Sequence, residues 1–78
     1  MTTETSLNSA IARSVSHNEI VKCRVASLTS GLRALSELSD VDDHVEFDYQ
    51  DSGRRMCDVW GKTPKGEEYR LYLFIEGP

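Results

Sequence analysis

Residues 16–38 read Ser16-His17-Asn18-Glu19-Ile20-Val21-Lys22-Cys23-Arg24-Val25-Ala26-Ser27-Leu28-Thr29-Ser30-Gly31-Leu32-Arg33-Ala34-Leu35-Ser36-Glu37-Leu38. Ser16 and Glu19 stand at the S-x-x-E spacing of a capping box, in which each side chain satisfies a free backbone N–H of the other. Val21, Val25, Leu28, Leu32, Leu35 and Leu38 follow three or four residues apart, one stripe of a helix. Lys22, Arg24 and Arg33 fall off that stripe. The pattern predicts a main helix over 17–38, ended by Ser39-Asp40. Gly31 is a flaw inside it, about 1 kcal/mol worse than alanine; a close approach by another element would explain it, and a tolerated irregularity is the preferred reading. Cys23 lies half a turn from the stripe and is expected to be exposed.

Before this helix, Leu7, Ile11 and Val15 recur every fourth residue, which suits an extra short N-terminal helix weakened by its serines. Residues 1–6 are polar and expected to be frayed, leaving 7–78 as a single domain. After it, Asp40-Val41-Asp42-Asp43 reads as a polar connection, and the period then changes from helical to alternating. Val45, Phe47 and Tyr49 alternate with Glu46 and Asp48, so 44–50 is expected to be a strand. Asp51-Ser52-Gly53 signals a turn, 54–60 a second strand, 61–66 a loop with Pro64 and Gly66, and 68–75 a third strand. Short loops demand antiparallel neighbours. The expected architecture is α+β: one main helix packed on a three-stranded antiparallel meander.

The faces of that sheet follow from charge. Placing Met56 and Trp60 inward would bury Asp58 between them, and an unpaired buried carboxylate is too costly. Cys57 and Val59 are therefore expected to face the helix, with Tyr69, Leu71, Leu73 and Ile75. Val45, Phe47 and Tyr49 are assigned to the same side because Glu46 and Asp48 occupy the other. Met56, Trp60, Tyr72 and Phe74 then form an outer apolar patch of roughly a few hundred Å², near the limit for a monomer. Residues 7–15, a second copy of the chain, or a partner protein could cover it.

Seventy-eight residues, 38% apolar and 28% charged, fit one ordinary globular domain with a thin core. No stretch approaches the apolar length of a membrane span, and the N-terminus lacks the basic and apolar regions of a signal peptide, so a cytoplasmic location is expected. Two cysteines, Cys23 and Cys57, suit free thiols better than a disulfide scaffold. No motif names a reaction. Gly61-Lys62-Thr63 resembles the end of a phosphate-binding loop, but Met56 stands where its first glycine belongs. Asp40, Asp42 and His44 begin like a calcium loop, but Val45 and Asp51 occupy the positions that need Gly and Glu. His17 and His44 are isolated, with no paired nucleophile. The expectation is a non-enzymatic protein without metal or cofactor.

Charge segregation is the strongest signal. Glu37, Asp40, Asp42, Asp43, Glu46, Asp48 and Asp51 follow one another with no Lys or Arg between Arg33 and Arg54. That stretch carries −7 and the rest of the chain +3. Such a row of carboxylates can stand in for nucleic-acid phosphates and steer the protein to a Lys/Arg-lined groove. In size, acidity and compact helix-plus-sheet design the whole chain resembles the small anti-CRISPR inhibitors encoded by phages and mobile elements, a group without a common motif. The resemblance implies binding to a CRISPR effector complex in a bacterial host cell, and carries over no individual residue. Two alternatives stand beside it: a homodimeric accessory protein using the Trp60/Phe74 face, and a small nucleic-acid-binding module.

Overall fold

The computed structural model describes residues 3–49 and 54–75. Their order is α1 (Thr3–His17), β1 (Ile20–Arg24), α2 (Leu28–Leu38), β2 (Asp40–Tyr49), β3 (Arg54–Lys62) and β4 (Glu68–Phe74). The α+β class holds, with a mixed four-stranded sheet, order β1-β4-β3-β2, in place of a three-stranded meander.

The difference comes from the stretch first quoted. It is not one helix over 17–38 but the end of α1, then β1, then α2. Asn18, with φ 51°, sits in the left-handed region and stops α1. Ile20-Val21-Lys22-Cys23-Arg24-Val25 then carries β-branched residues and a period of two, with Val21, Cys23 and Val25 on one side. Those residues satisfy the helical spacing and the strand spacing together, and the left-handed Asn18 decides between them. The capping box is absent as well. Ser16 and His17 end α1, and the Glu19 carboxylate accepts from Arg13 Nε at 3.0 Å. The true cap is Ser27, whose Oγ accepts from the Ser30 N–H at 3.1 Å.

β1 joins the sheet parallel to β4, with Val21 beside Leu71 and Cys23 beside Leu73. Both helices lie on one side of the sheet. Leu7 and Ile11 of α1, Leu28 and Leu35 of α2, Cys23, Cys57, Val59, Tyr69, Leu71 and Leu73 form one buried core. Cys23 is 3% exposed, not on the surface as its position on a helix implied. Gly31 is a close approach rather than an irregularity: a Cβ there would lie 2.9 Å from Val25 Cγ1. Ser14, on the apolar stripe of α1, is buried; its Oγ accepts from the Arg70 N–H at 2.9 Å and donates to the Glu19 carbonyl at 2.7 Å. One hydroxyl thus ties α1 to β4 and closes the helix-to-strand corner.

β2 begins at Asp40, so 40–43 is not a connection, and its register on β3 shifts between Val41 and Asp43. Val41 pairs with Gly61 and packs against the core; beyond the shift Val45 pairs with Asp58 and Phe47 with Met56. Val45, Phe47 and Tyr49 therefore lie on the face away from the helices, opposite to expectation. Val45 is 53% and Tyr49 47% exposed. The distal part of β2 extends past the helical layer, so water reaches both its sides and alternation no longer says which is inward. Cys57, Val59, Tyr69, Leu71 and Leu73 do face the core. Thr3–Ser6, expected to be frayed, form the first turns of α1.

Candidate interaction surfaces

No helix among the described residues covers the outer face of the sheet, because α1, the proposed cover for it, packs with α2 on the other side. The register places Met56 beside Phe47 and Phe74, Asp58 beside Tyr72, and Trp60 beside Arg70. Met56, Trp60, Tyr72 and Phe74 thus share one face, as their alternation implied. They form a small cluster of their own. The Phe47 and Tyr72 rings meet edge-to-face at 6.1 Å, a favourable aromatic geometry. Met56 is only 7% exposed although it lies outside the main core. Phe47 completes this cluster and was assigned by sequence to the opposite face.

Asp58 is the polar member of that face. Arg70 grips it with two parallel bonds, Nε to Oδ1 at 3.0 Å and Nη2 to Oδ2 at 2.5 Å. The Arg70 guanidinium also lies 5.8 Å from the Trp60 ring centre. The bond to Asp58 holds the Arg70 pKa above its ordinary value. The carboxylate that barred Met56 and Trp60 from the core is satisfied here by a partner from the adjacent strand.

The acidic stretch divides in two. Glu46 and Asp48 share Arg55, with Nε 3.5 Å from Glu46 Oε1 and Nη1 3.1 Å from Asp48 Oδ1. The hydrogen bond to Asp48, then its charge, raises the Arg55 pKa. Glu37, Asp40, Asp42 and Asp43 are exposed at the α2–β2 junction and form no ion pair with Lys or Arg among the described residues, although Lys62 is the cross-strand neighbour of Asp40. Asp43 Oδ1 accepts only from the backbone N–H of His44, at 2.8 Å. Asp51 lies outside the described residues. The junction thus holds most of the unneutralised charge, and the distal strand holds a cross-strand network.

A shallow cleft of about 460 Å³ opens beside that junction. Asp42, Glu19 and Glu68 line it, with Trp60, Tyr69 and Arg70. Its floor is tight. Tyr69 Oη lies 2.6 Å from Ser39 Oγ, and burial, followed by the Asp42 and Asp40 charges, pushes the phenol pKa up against the lowering effect of the Ser39 bond. Sequence assigned Glu19 only a capping role and did not single out Glu68, because the two reach the cleft from β1's entry and from β4, elements far apart in the chain. Ser14 had a signal, a polar residue on an apolar stripe.

Comparison with known proteins adds nothing to this geometry. No family model, curated protein or solved structure matches the chain.

The remaining candidates are the cysteines and the histidines. Cys23 and Cys57 flank Leu73 on two different neighbouring strands and remain free thiols. Burial, with the nearby Glu46 and Asp58 charges, pushes the Cys57 thiol pKa up to about 11, the reverse of what a nucleophile needs. His17 and His44 are both exposed. No group of three or more His, Cys, Asp or Glu among the described residues could hold a metal ion. No helix among them is long and apolar enough to cross a membrane.

Proposed function

We propose that this chain is a non-enzymatic interaction protein that docks on a basic protein surface, in the manner of an anti-CRISPR inhibitor occupying the nucleic-acid-recognition groove of a CRISPR effector complex. The observation that carries the reading is the group Glu37, Asp40, Asp42 and Asp43, exposed at the helix-to-sheet junction and in no ion pair among the described residues. Asp42 continues this charge into the cleft with Glu68. Exposed carboxylates so arranged accelerate encounter with a cationic groove and lose that effect as salt rises.

The test is target-DNA binding by reconstituted effector complexes in the presence of the protein. The parent should block binding by one effector class, and D40K/D42K/D43K should block it at least about 100-fold less well, as expected when several close charges are reversed. A triple variant that inhibits as strongly as the parent removes the acidic surface from the reading. A parent that inhibits no effector removes the CRISPR target.

A homodimer through the outer face is the second reading, favoured by the uncovered cluster of Phe47, Met56, Tyr72 and Phe74 beside the exposed Val45 and Tyr49. Sedimentation velocity across a wide concentration range should then show a mass that doubles, and V45E should return it to the monomer value. A monomer mass throughout discards the dimer.

A further inference from the structure

β2 is an edge strand, and one side of its backbone meets no other strand among the described residues. An open edge is a template for another strand, and proteins normally shorten, cover or twist it. This one runs from Asp40 to Tyr49. Its state shows at His44, whose N–H is satisfied by the carboxylate of the preceding residue at 2.8 Å. Two of the three large apolar residues exposed among the described residues, Val45 and Tyr49, lie on this strand. An added neighbour would cover both.

We propose that the free edge of β2 accepts an extended segment of a partner protein as a fifth strand, and that this segment alternates apolar and basic residues. The inference rests on the basic-partner reading above and names the form in which that partner binds. Alternation in β2 sets the pattern. Val45, Phe47 and Tyr49 present an apolar row on one face, while Glu46 and Asp48 present acids on the other. A neighbouring strand places its own alternate side chains beside those rows. Arg55 is one cation shared between two carboxylates, through Oε1 of Glu46 and Oδ1 of Asp48, so the row keeps a net negative charge.

Charge also selects against a second copy of this chain at the same edge. β2 carries five carboxylates and no Lys or Arg. Pairing two β2 strands would set these rows against each other, and like charges directly opposite destabilise a sheet. A Lys-bearing strand reverses the sign of every such contact. Main-chain bonds would supply affinity and the two rows specificity, as in other strand additions.

The probe is a fluorescein-labelled peptide, Lys-Val-Lys-Phe-Lys-Val-Lys, followed by anisotropy with the full chain. Two further forms carry N-methyl groups on alternate residues, one set on each edge of the extended peptide. The parent peptide should bind. One N-methylated form should bind equally and the other at least about tenfold more weakly, because only one peptide edge meets β2 and a missing ladder of main-chain bonds is costly. E46Q/D48N should weaken the parent peptide. Equal binding by both methylated forms would reduce the contact to charge attraction and overturn the proposal, as would no binding by the parent peptide. Neither result touches the effector assay, in which the reversed residues are Asp40, Asp42 and Asp43. Peptide failure with intact inhibition therefore removes the fifth strand alone.

Discussion

Replacing Gly61 by alanine should cost the fold at least about 3 kcal/mol, the upper range for overpacking, and lower the melting temperature by roughly 15 °C. A Cβ at Gly61 would collide with the Asp40 carbonyl oxygen and stand 2.9 Å from both Val41 Cα and Tyr69 Oη. Two of these three obstacles are backbone, which no rotamer change relieves. They lie where β2 enters the sheet, so relief would have to move the strand that bears Asp40, Asp42 and Asp43. Gly66 is the control. It lies at φ 84° with nothing near its missing side chain, so alanine there costs only conformational strain, about 1 kcal/mol. Thermal melts followed by circular dichroism measure both. A G61A protein that melts within a few degrees of the parent contradicts the β2 register described here.

Leu71→Ala should have a comparable effect, about 2–5 kcal/mol, and Val45→Ala almost none. Leu71 sits fully buried on β4, between Val21 of β1 and Val59 of β3. Truncation there opens a cavity against two sheet neighbours and the helix layer at once. The whole domain is stable by only about 4–12 kcal/mol at its size, so this one side chain decides a large share. Val45 is a β-branched apolar residue in an alternating strand, and sequence alone assigns it to the core. At 53% exposure it has little burial to lose. Chemical denaturation of the two variants discriminates the faces. A Val45→Ala loss equal to that of Leu71→Ala would place β2 the other way round.

What the sequence made legible follows the same line. β4 was readable because both its faces are apolar and a short loop joins it to β3. Asp58 oriented β3, since the cost of burying a carboxylate exceeds any gain from turning Met56 inward. Residues 20–25 misled, because Val21 and Val25 fit a helical stripe as well as a strand, and pairing with a distant β4 leaves no local trace. β2 misled for a different reason. Its alternation is real, but the helices do not reach its distal half, so the apolar row packs with the outer cluster through Phe47 and Tyr72. For the candidate surfaces, the acidic stretch was plain in the sequence, but Arg55's neutralising role for Glu46 and Asp48 depends on the register of β3. The cleft was not visible at all, since Glu19, Asp42 and Glu68 come from three separate parts of the chain.

The pairing of β1 with β4 has one more outcome, for the order of events on the ribosome. β4 holds the middle of the sheet between β1 and β3, yet it is synthesised after every other described strand. Until it emerges, α1, β1 and α2 have no completed surface to bury their leucines on, and β1 has no partner at all. Contacts between distant parts of a chain form slowly because the intervening loop must close first. Folding of this domain therefore waits until β4 has emerged, and a nascent chain halted before Glu68 would present its apolar helices to whatever binds unfolded segments in the cell.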